Sequence, residues 1–184
     1  CFTKLGDGDG GKNAYVQSID LDPYAAKAYI GLGTVGLTKH SYETAVLHFQ
    51  KAVSLAPEDE MANLGLGLAF QGMGEYDEAS RWVVKALEIN PENQAAMFTL
   101  VQIANERSKF SEVEEALTTY TGRRPNDHNM LYTLAAIKHK IGKNNEAKTL
   151  VDRIIAVDPY DDRAVSLEKQ VARAARVVGE SSNG

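Results

Sequence analysis

Residues 28–40 read AYIGLGTVGLTKH, and Gly31, Gly33 and Gly36 within them match G-x-G-x-x-G. That spacing cradles a pyrophosphate when a strand precedes it, a helix opens at it and an acidic residue follows about 20 positions on. Here the preceding AAKAYI reads as helix, so the strand is missing. Asp7–Asn13, DGDGGKN, has the look of a calcium loop. Counted from Asp7, though, its fifth, sixth and twelfth positions are Gly11, Lys12 and Ser18, where a ligand, a glycine and a glutamate are needed. The four histidines, His40, His48, His128 and His139, show no metal-ligand spacing, and the lone cysteine, Cys1, allows neither an intrachain disulfide nor a multi-cysteine zinc site. Glu112, Glu114 and Glu115 form an acidic cluster that reads as a solvated helix face. No nucleophile elbow, P-loop or paired-carboxylate signature appears. The expectation is a chain without catalytic, cofactor or metal residues.

The elements that would hold any site must come from the rest of the 184 residues. A formal net charge of −5 speaks against a partner recognised by phosphate neutralisation, hence no nucleic acid. The charge is uneven: residues 1–106 hold 7 basic and 14 acidic side chains, net −7, and residues 107–184 hold 13 and 11, net +2. No apolar run approaches the roughly 18 residues of a membrane span, so no membrane insertion is expected. The cysteine usage fits the cytoplasm and permits the periplasm.

The five prolines, Pro23, Pro57, Pro91, Pro125 and Pro159, each follow the last by 34 residues. Proline ends one helix and redirects the chain into the next. Between prolines, apolar residues recur at three- and four-residue steps, as in Leu64, Ala69 and Phe70, then Ala79, Val83, Ala86 and Leu87. Turn-like breaks fall at 37–42, 71–76, 106–110 and 140–145. Each unit is therefore a pair of helices, and pairs must stack to bury their apolar faces. Trp82, beside Val83 on a second helix, reads as packing.

This lattice resembles the tetratricopeptide repeat, W-x2-L-G-x2-Y…A-x3-F…P over 34 residues. One unit carries Tyr29, Leu32, Gly33, Gly36, Ala45, Phe49, Ala52 and Pro57; the next Asn63, Leu66, Gly67, Phe70, Ala79, Val83, Ala86 and Pro91. A later one keeps Leu131, Leu134, Ala135, Gly142, Ala147, Val151 and Pro159. The unit between departs, with Val101, Val113 and Tyr120 at small-residue positions, which is expected to open or tilt its helix pair. The first unit is partial, with Gly6, Tyr15, Ser18 and Pro23. In this reading Gly33 lies where paired helices approach closely, and Gly31-Leu32-Gly33 recurs as Gly65-Leu66-Gly67 with Phe70 in place of Gly36. The glycines are packing residues.

The resemblance implies an all-α, right-handed α-solenoid spanning 1–178. It comprises a partial repeat over 1–25, full repeats over 26–59, 60–93, 94–127 and 128–161, a capping helix over 162–178 and a flexible tail over 179–184. The capping helix would bury Leu167, Val171, Ala174 and Val178. It also implies that first helices line a concave groove that takes a protein or peptide ligand. Carried over by position, the groove residues are Lys27, Ile30, Thr34 and Leu37; Met61, Leu64, Leu68 and Gln71; Phe98, Gln102 and Asn105; and Asn129, Tyr132, His139 and Lys140. Gly31, Gly65, Thr99 and Glu106 share such positions. The Lys/Asn clamp that grips a C-terminal carboxylate in the co-chaperone subclass is absent, as is the asparagine ladder of the sugar-transferase branch. The expected function is a non-catalytic protein-interaction scaffold. Its alternatives are a regulatory or substrate-selecting arm of a larger enzyme such as a glycosyltransferase, or a homo-oligomeric scaffold self-associating through the N-terminal edge. The short stub at Cys1–Leu5 favours a piece of a longer array over such an edge.

Overall fold

The computed structural model describes residues 8–181, and among these it contains ten α-helices and no strand. The chain divides between Ser108 and Lys109 into two compact units. The first holds α1 (Gly8–Leu21), α2 (Ala26–Thr38), α3 (Tyr42–Leu55), α4 (Glu60–Gly72), α5 (Tyr76–Ile89) and α6 (Gln94–Arg107). The second holds α7 (Ser111–Arg123), α8 (His128–Lys140), α9 (Asn144–Val157) and α10 (Asp162–Ser181). The expected turns fall where the helices end, and α10 runs three residues past the end read from the sequence. The Cys1–Leu5 stub, Gly6 and residues 182–184 of the expected tail lie outside the described residues. The division falls inside the repeat that carries Val101, Val113 and Tyr120. In the second unit Val113 and Tyr120 are buried, and the Tyr120 hydroxyl donates to Asp127 Oδ2 at 2.7 Å.

Helix starts follow the 34-residue lattice with one kind of cap. Asp59, Asn93, Asp127 and Asp161 each accept a hydrogen bond from a backbone N–H three residues on, at 3.0–3.1 Å. This satisfies one of the orphan donors of the first turn. The equivalent residue before α2 is Ala25, which caps nothing. Within each repeat the turn between the helices also repeats: His40, Gly74, Ser108 and Gly142 all have positive φ, from 52° to 83°. Glycine takes this conformation freely, whereas a side chain there is strained. Asn63, fully buried in α4, donates through Nδ2 to the carbonyls of Pro57 and Asp59 at 2.9 Å, tying the turn to the helix it starts.

The first unit's core is set by glycines facing large side chains. A Cβ on Gly33 would lie 2.7 Å from the Phe49 ring, and one on Gly65 would run into the other edge of the same ring. Phe49, on α3, is thus held between a glycine of its own repeat and one of the next. Tyr15 on α1 stands over Gly31 in the same way, and a Cβ on Gly67 would lie 2.6 Å from Val83. Around Phe49 are Ala45, Leu66 and Ala69, all buried, with Ile30, Leu37, Val46, Phe70 and Trp82 against them. The G-x-G-x-x-G glycines are therefore packing residues, and Trp82 is core. In the second unit, Leu131, Ala135, Ala147, Val151 and Ile154 form a buried cluster with Ala164, Leu167 and Val171 of α10.

The ring-to-glycine pairs trade size along the lattice: Tyr15 with Gly31 and Phe49 with Gly65, then Val83 with Thr99 and Leu117 with Thr133. A large knob requires a bare floor. Gly65→Thr should therefore cost about 2 kcal/mol by overpacking. Combined with Phe49→Val it should cost at least about 1 kcal/mol less than the sum of the single changes. Additive values in a denaturant-unfolding cycle would refute the pairing. Separately, Ala25→Asp should stabilise the chain by about 1 kcal/mol by supplying the missing cap, raising the unfolding midpoint.

Candidate partner-binding face

In the first unit α4 packs against both α2 and α6, so the three first helices present neighbouring faces. The lattice places Ile30, Leu64 and Phe98 at one level, Thr34, Leu68 and Gln102 at the next, and Leu37, Gln71 and Asn105 at a third. Exposure divides them. Met61 and Phe98 each leave 62% of their surface in solvent, and Lys27, Thr34, Gln102 and Asn105 are exposed as well. Ile30 and Leu37 are half-buried against the Phe49 cluster, Leu68 and Gln71 are half-buried, and Leu64 is buried at 9% exposure. The Thr34 hydroxyl donates to its own helix at the Ile30 carbonyl, 2.8 Å away. Gly31, Gly65 and Thr99 offer a ligand nothing: the two glycines lie under aromatic rings and Thr99 is buried.

The polar end of this face is a cavity of about 330 Å³ lined by Gln71, Gln102, Asn105, Glu106 and Tyr76. Gln71 Nε2 donates to Gln102 Oε1 across a long 3.4 Å. The cavity draws together three residues expected from the sequence, together with Glu106 from a neighbouring position. Tyr76, the first residue of α5, was not anticipated. Its signal was present in the lattice, where Tyr42, Tyr76 and Phe110 open successive second helices. Tyr42 fills the space beside Gly72, and Phe110 carries the Lys140 ammonium 4.7 Å from its ring centroid.

The four expected positions of the second unit are engaged within the chain. The Arg163 guanidinium lies 5.2 Å from the Tyr132 ring centroid and donates to Asn129 Oδ1 at 3.2 Å. His139 Nδ1 is 2.7 Å from Asn144 Oδ1, and Lys140 sits over Phe110. His40 Nδ1 similarly meets the Tyr42 hydroxyl at 2.8 Å.

Two models of one family match the chain, over residues 3–60 and 62–93, and both describe the tetratricopeptide repeat. The chain is a tetratricopeptide repeat protein. Its fold class is the all-α helical-repeat solenoid, and the repeat is a protein-interaction module. Comparison with curated proteins finds no match. Among solved structures, the chain is similar to YrrB, a TPR protein with an unusual peptide-binding site, at 21% identity and a TM-score of 0.66. That likeness covers 90% of this chain and 85% of YrrB. It is similar to MamA at 18% identity and 0.66, covering 94% and 99%. It is also similar to a structure of Naa15/Naa10 bound to HypK-THB at 15% identity and 0.69, covering 88% of this chain and 28% of that one.

One charged cluster of this repeat protein lies elsewhere and is structural. Glu114, read from the sequence as solvated, keeps only 15% of its side chain exposed. It accepts from Lys138 Nζ at 2.7 Å and from Lys143 Nζ at 2.7 and 3.0 Å, and Lys138 also reaches Glu146 at 2.6 Å. The Lys138 hydrogen bond, then that of Lys143, holds the Glu114 carboxyl below its ordinary value. Burial acts most strongly on the Lys138 ammonium and lowers its pKa, but hydrogen bonds to Glu114 and Glu146 together outweigh it and the net shift is upward. The lowered Glu114 pKa contributes stability that is present above the ordinary value of 4.5 and lost as pH falls through the folded value. Glu114→Gln should therefore cost about 2 kcal/mol at pH 7. The gap from wild type should close as pH drops well below 4.5. Denaturant unfolding at pH 7 and pH 3 checks this, and a gap that persists unchanged at pH 3 would refute it.

Proposed function

We propose that the chain binds a peptide or helix of a partner protein on the first-helix face of its first unit. Apolar anchors of the ligand rest on Met61 and Phe98, and its polar groups enter the Gln71, Gln102, Asn105 and Glu106 cavity. Lys27, Thr34 and Leu68 border this path, while Ile30, Leu37 and Leu64 serve chiefly as its floor. The observation that carries this reading is Phe98: a phenylalanine with most of its ring in water, on the face where α4 and α6 meet, beside a polar cavity. An apolar surface rimmed by hydrogen-bonding groups is the usual make-up of a peptide seat. Asn129, Tyr132, His139 and Lys140 could join the seat only by giving up their contacts within the second unit, so they enter this reading as secondary positions.

Leu64 is too buried for a charge to be introduced without unfolding, so Phe98 and Met61 are the positions to test. Peptides selected from a random library on the wild-type chain should lose at least roughly tenfold in affinity on Phe98→Glu or Met61→Glu. They should bind Leu47→Glu unchanged, since Leu47 is equally exposed but lies on the second helix of its repeat. Equal affinity for all variants, with circular dichroism showing each folded, would exclude this face.

A further inference from the structure

Each repeat has a slot between its helix pair and the preceding second helix, and the chain fills the equivalent slots with different chemistry. In the third repeat Val46, Phe70 and Trp82 close it, packed against the Phe49 cluster. In the fifth, the residues 68 positions further on are Glu114, Lys138 and Leu150. There Glu114 and Glu146 close the slot electrostatically on Lys138 and Lys143. In the second repeat the same positions are Lys12, Gly36 and His48. Gly36 has no side chain to project where Phe70 and Lys138 stand, and a cavity of about 180 Å³ remains, lined by Lys12, Lys39, Ser41, Thr44 and His48 beside Gly36.

The charge of this open slot is one-sided. Lys12 occupies the position of Glu114, so the carboxylate that neutralises the fifth-repeat slot is replaced by a second cation. Ser41 and Thr44 stand where Glu75 and Glu78 stand in the third repeat, so the acidic side chains are gone there too. No carboxylate lines the cavity among the described residues. Ser41 makes no side-chain cap bond to α3. The wall thus carries two ammonium groups, two hydroxyls and an imidazole, inside a half of the chain whose net charge is −7.

We propose that this slot binds a phosphate-class oxyanion, seated between Lys12 and Lys39 with the Ser41 and Thr44 hydroxyls and the His48 ring as further donors. A wall of donors suits a group with several acceptor oxygens and double charge at neutral pH. The volume exceeds that of a bare phosphate and leaves room for the carbon that would carry a phosphoryl group. The cavity uses positions of α2 other than those of the partner-binding face, so it stands independently of that reading.

His48 is the reporter. Burial first, then the charge of Lys12, keeps its pKa below the ordinary value, and the Tyr29 ring lies 6.4 Å away. A bound anion offsets Lys12 and should move that pKa upward. The test is an NMR titration of the His48 ring and the Ser41 amide in the 184-residue chain. The probes are inorganic phosphate, O-phosphoserine, acetate and chloride, at matched ionic strength. Wild type and the exposed-lysine control Lys51→Glu should show a saturable response to phosphate with the His48 pKa raised. Lys12→Glu should bind at least roughly tenfold more weakly. Tighter binding of O-phosphoserine than of phosphate assigns the slot to a phosphorylated side chain, and equal binding assigns it to free phosphate. No saturable response, an equal response to acetate or chloride, or an equal response in Lys12→Glu overturns the proposal.

Discussion

Phe49 is the constraint on which the first unit depends. Its ring lies between Gly33 of α2 and Gly65 of α4, so a single side chain sets how closely α3 approaches the helix before it and the helix after it. Both glycines are required by the ring's width, and neither is free to serve a ligand. This is why Gly31 and Gly65, which the family resemblance places among ligand contacts, are spent on packing here. It is also why partner recognition is left to the second, fifth, ninth and twelfth positions of the repeat. Thr99, under the smaller Val83, is buried all the same. Close packing of an aromatic against bare backbone fixes interhelix distance more tightly than interdigitating aliphatic side chains, because a glycine floor offers no rotamer to adjust.

The lattice makes the chain its own internal comparison. Positions that agree across repeats are those geometry demands: Leu32, Leu66, Leu100 and Leu134 are all leucine and all buried. Ala28, Ala62 and Ala96 are likewise alanine throughout and buried. Positions that disagree are those where the backbone tolerates a choice. Gly36, Phe70 and Lys138 are equivalent, yet one leaves a cavity, one fills it with an aromatic ring and one fills it with a buried ammonium. The buried ammonium requires two carboxylates in reach, since an unpaired charge at that depth would cost several kcal/mol, and Glu114 and Glu146 supply them.

Helices, turns and most of the core were legible because the 34-residue proline lattice and the 3.6-residue apolar period reinforce each other. The role of Gly33 could be read directly, since a glycine inside a helix that recurs at the repeat interval has a packing cause. The caps at Asp59, Asn93, Asp127 and Asp161 were equally periodic but are single polar residues among many on a charged chain, so they do not stand out beside prolines. Glu114 was misread because its neighbours Glu112 and Glu115 are exposed; what buries it is Lys138, 24 residues away, and no local pattern announces such a partner. Tyr76 escaped for the same reason, since it reaches the polar cavity from a second helix while the family pattern directs attention to first helices.

A helical repeat fixes backbone geometry so firmly that chemistry can enter only by exchanging side chains at fixed places. The surface of such a chain is informative where it breaks its own rule. Phe98 stands exposed where Ile30 is half-buried and Leu64 is buried, although all three occupy one position of one helix type. Solvation alone would disfavour that choice, because a phenyl ring in water forgoes about 2 kcal/mol of burial. Packing within the first unit does not require it either, since the core beneath is already closed by Leu66, Met97 and Leu100. A side chain retained against solvation and unneeded for packing is spent on something outside the chain, and its neighbours Met61 and the Gln71–Gln102 cavity define what that surface can hold.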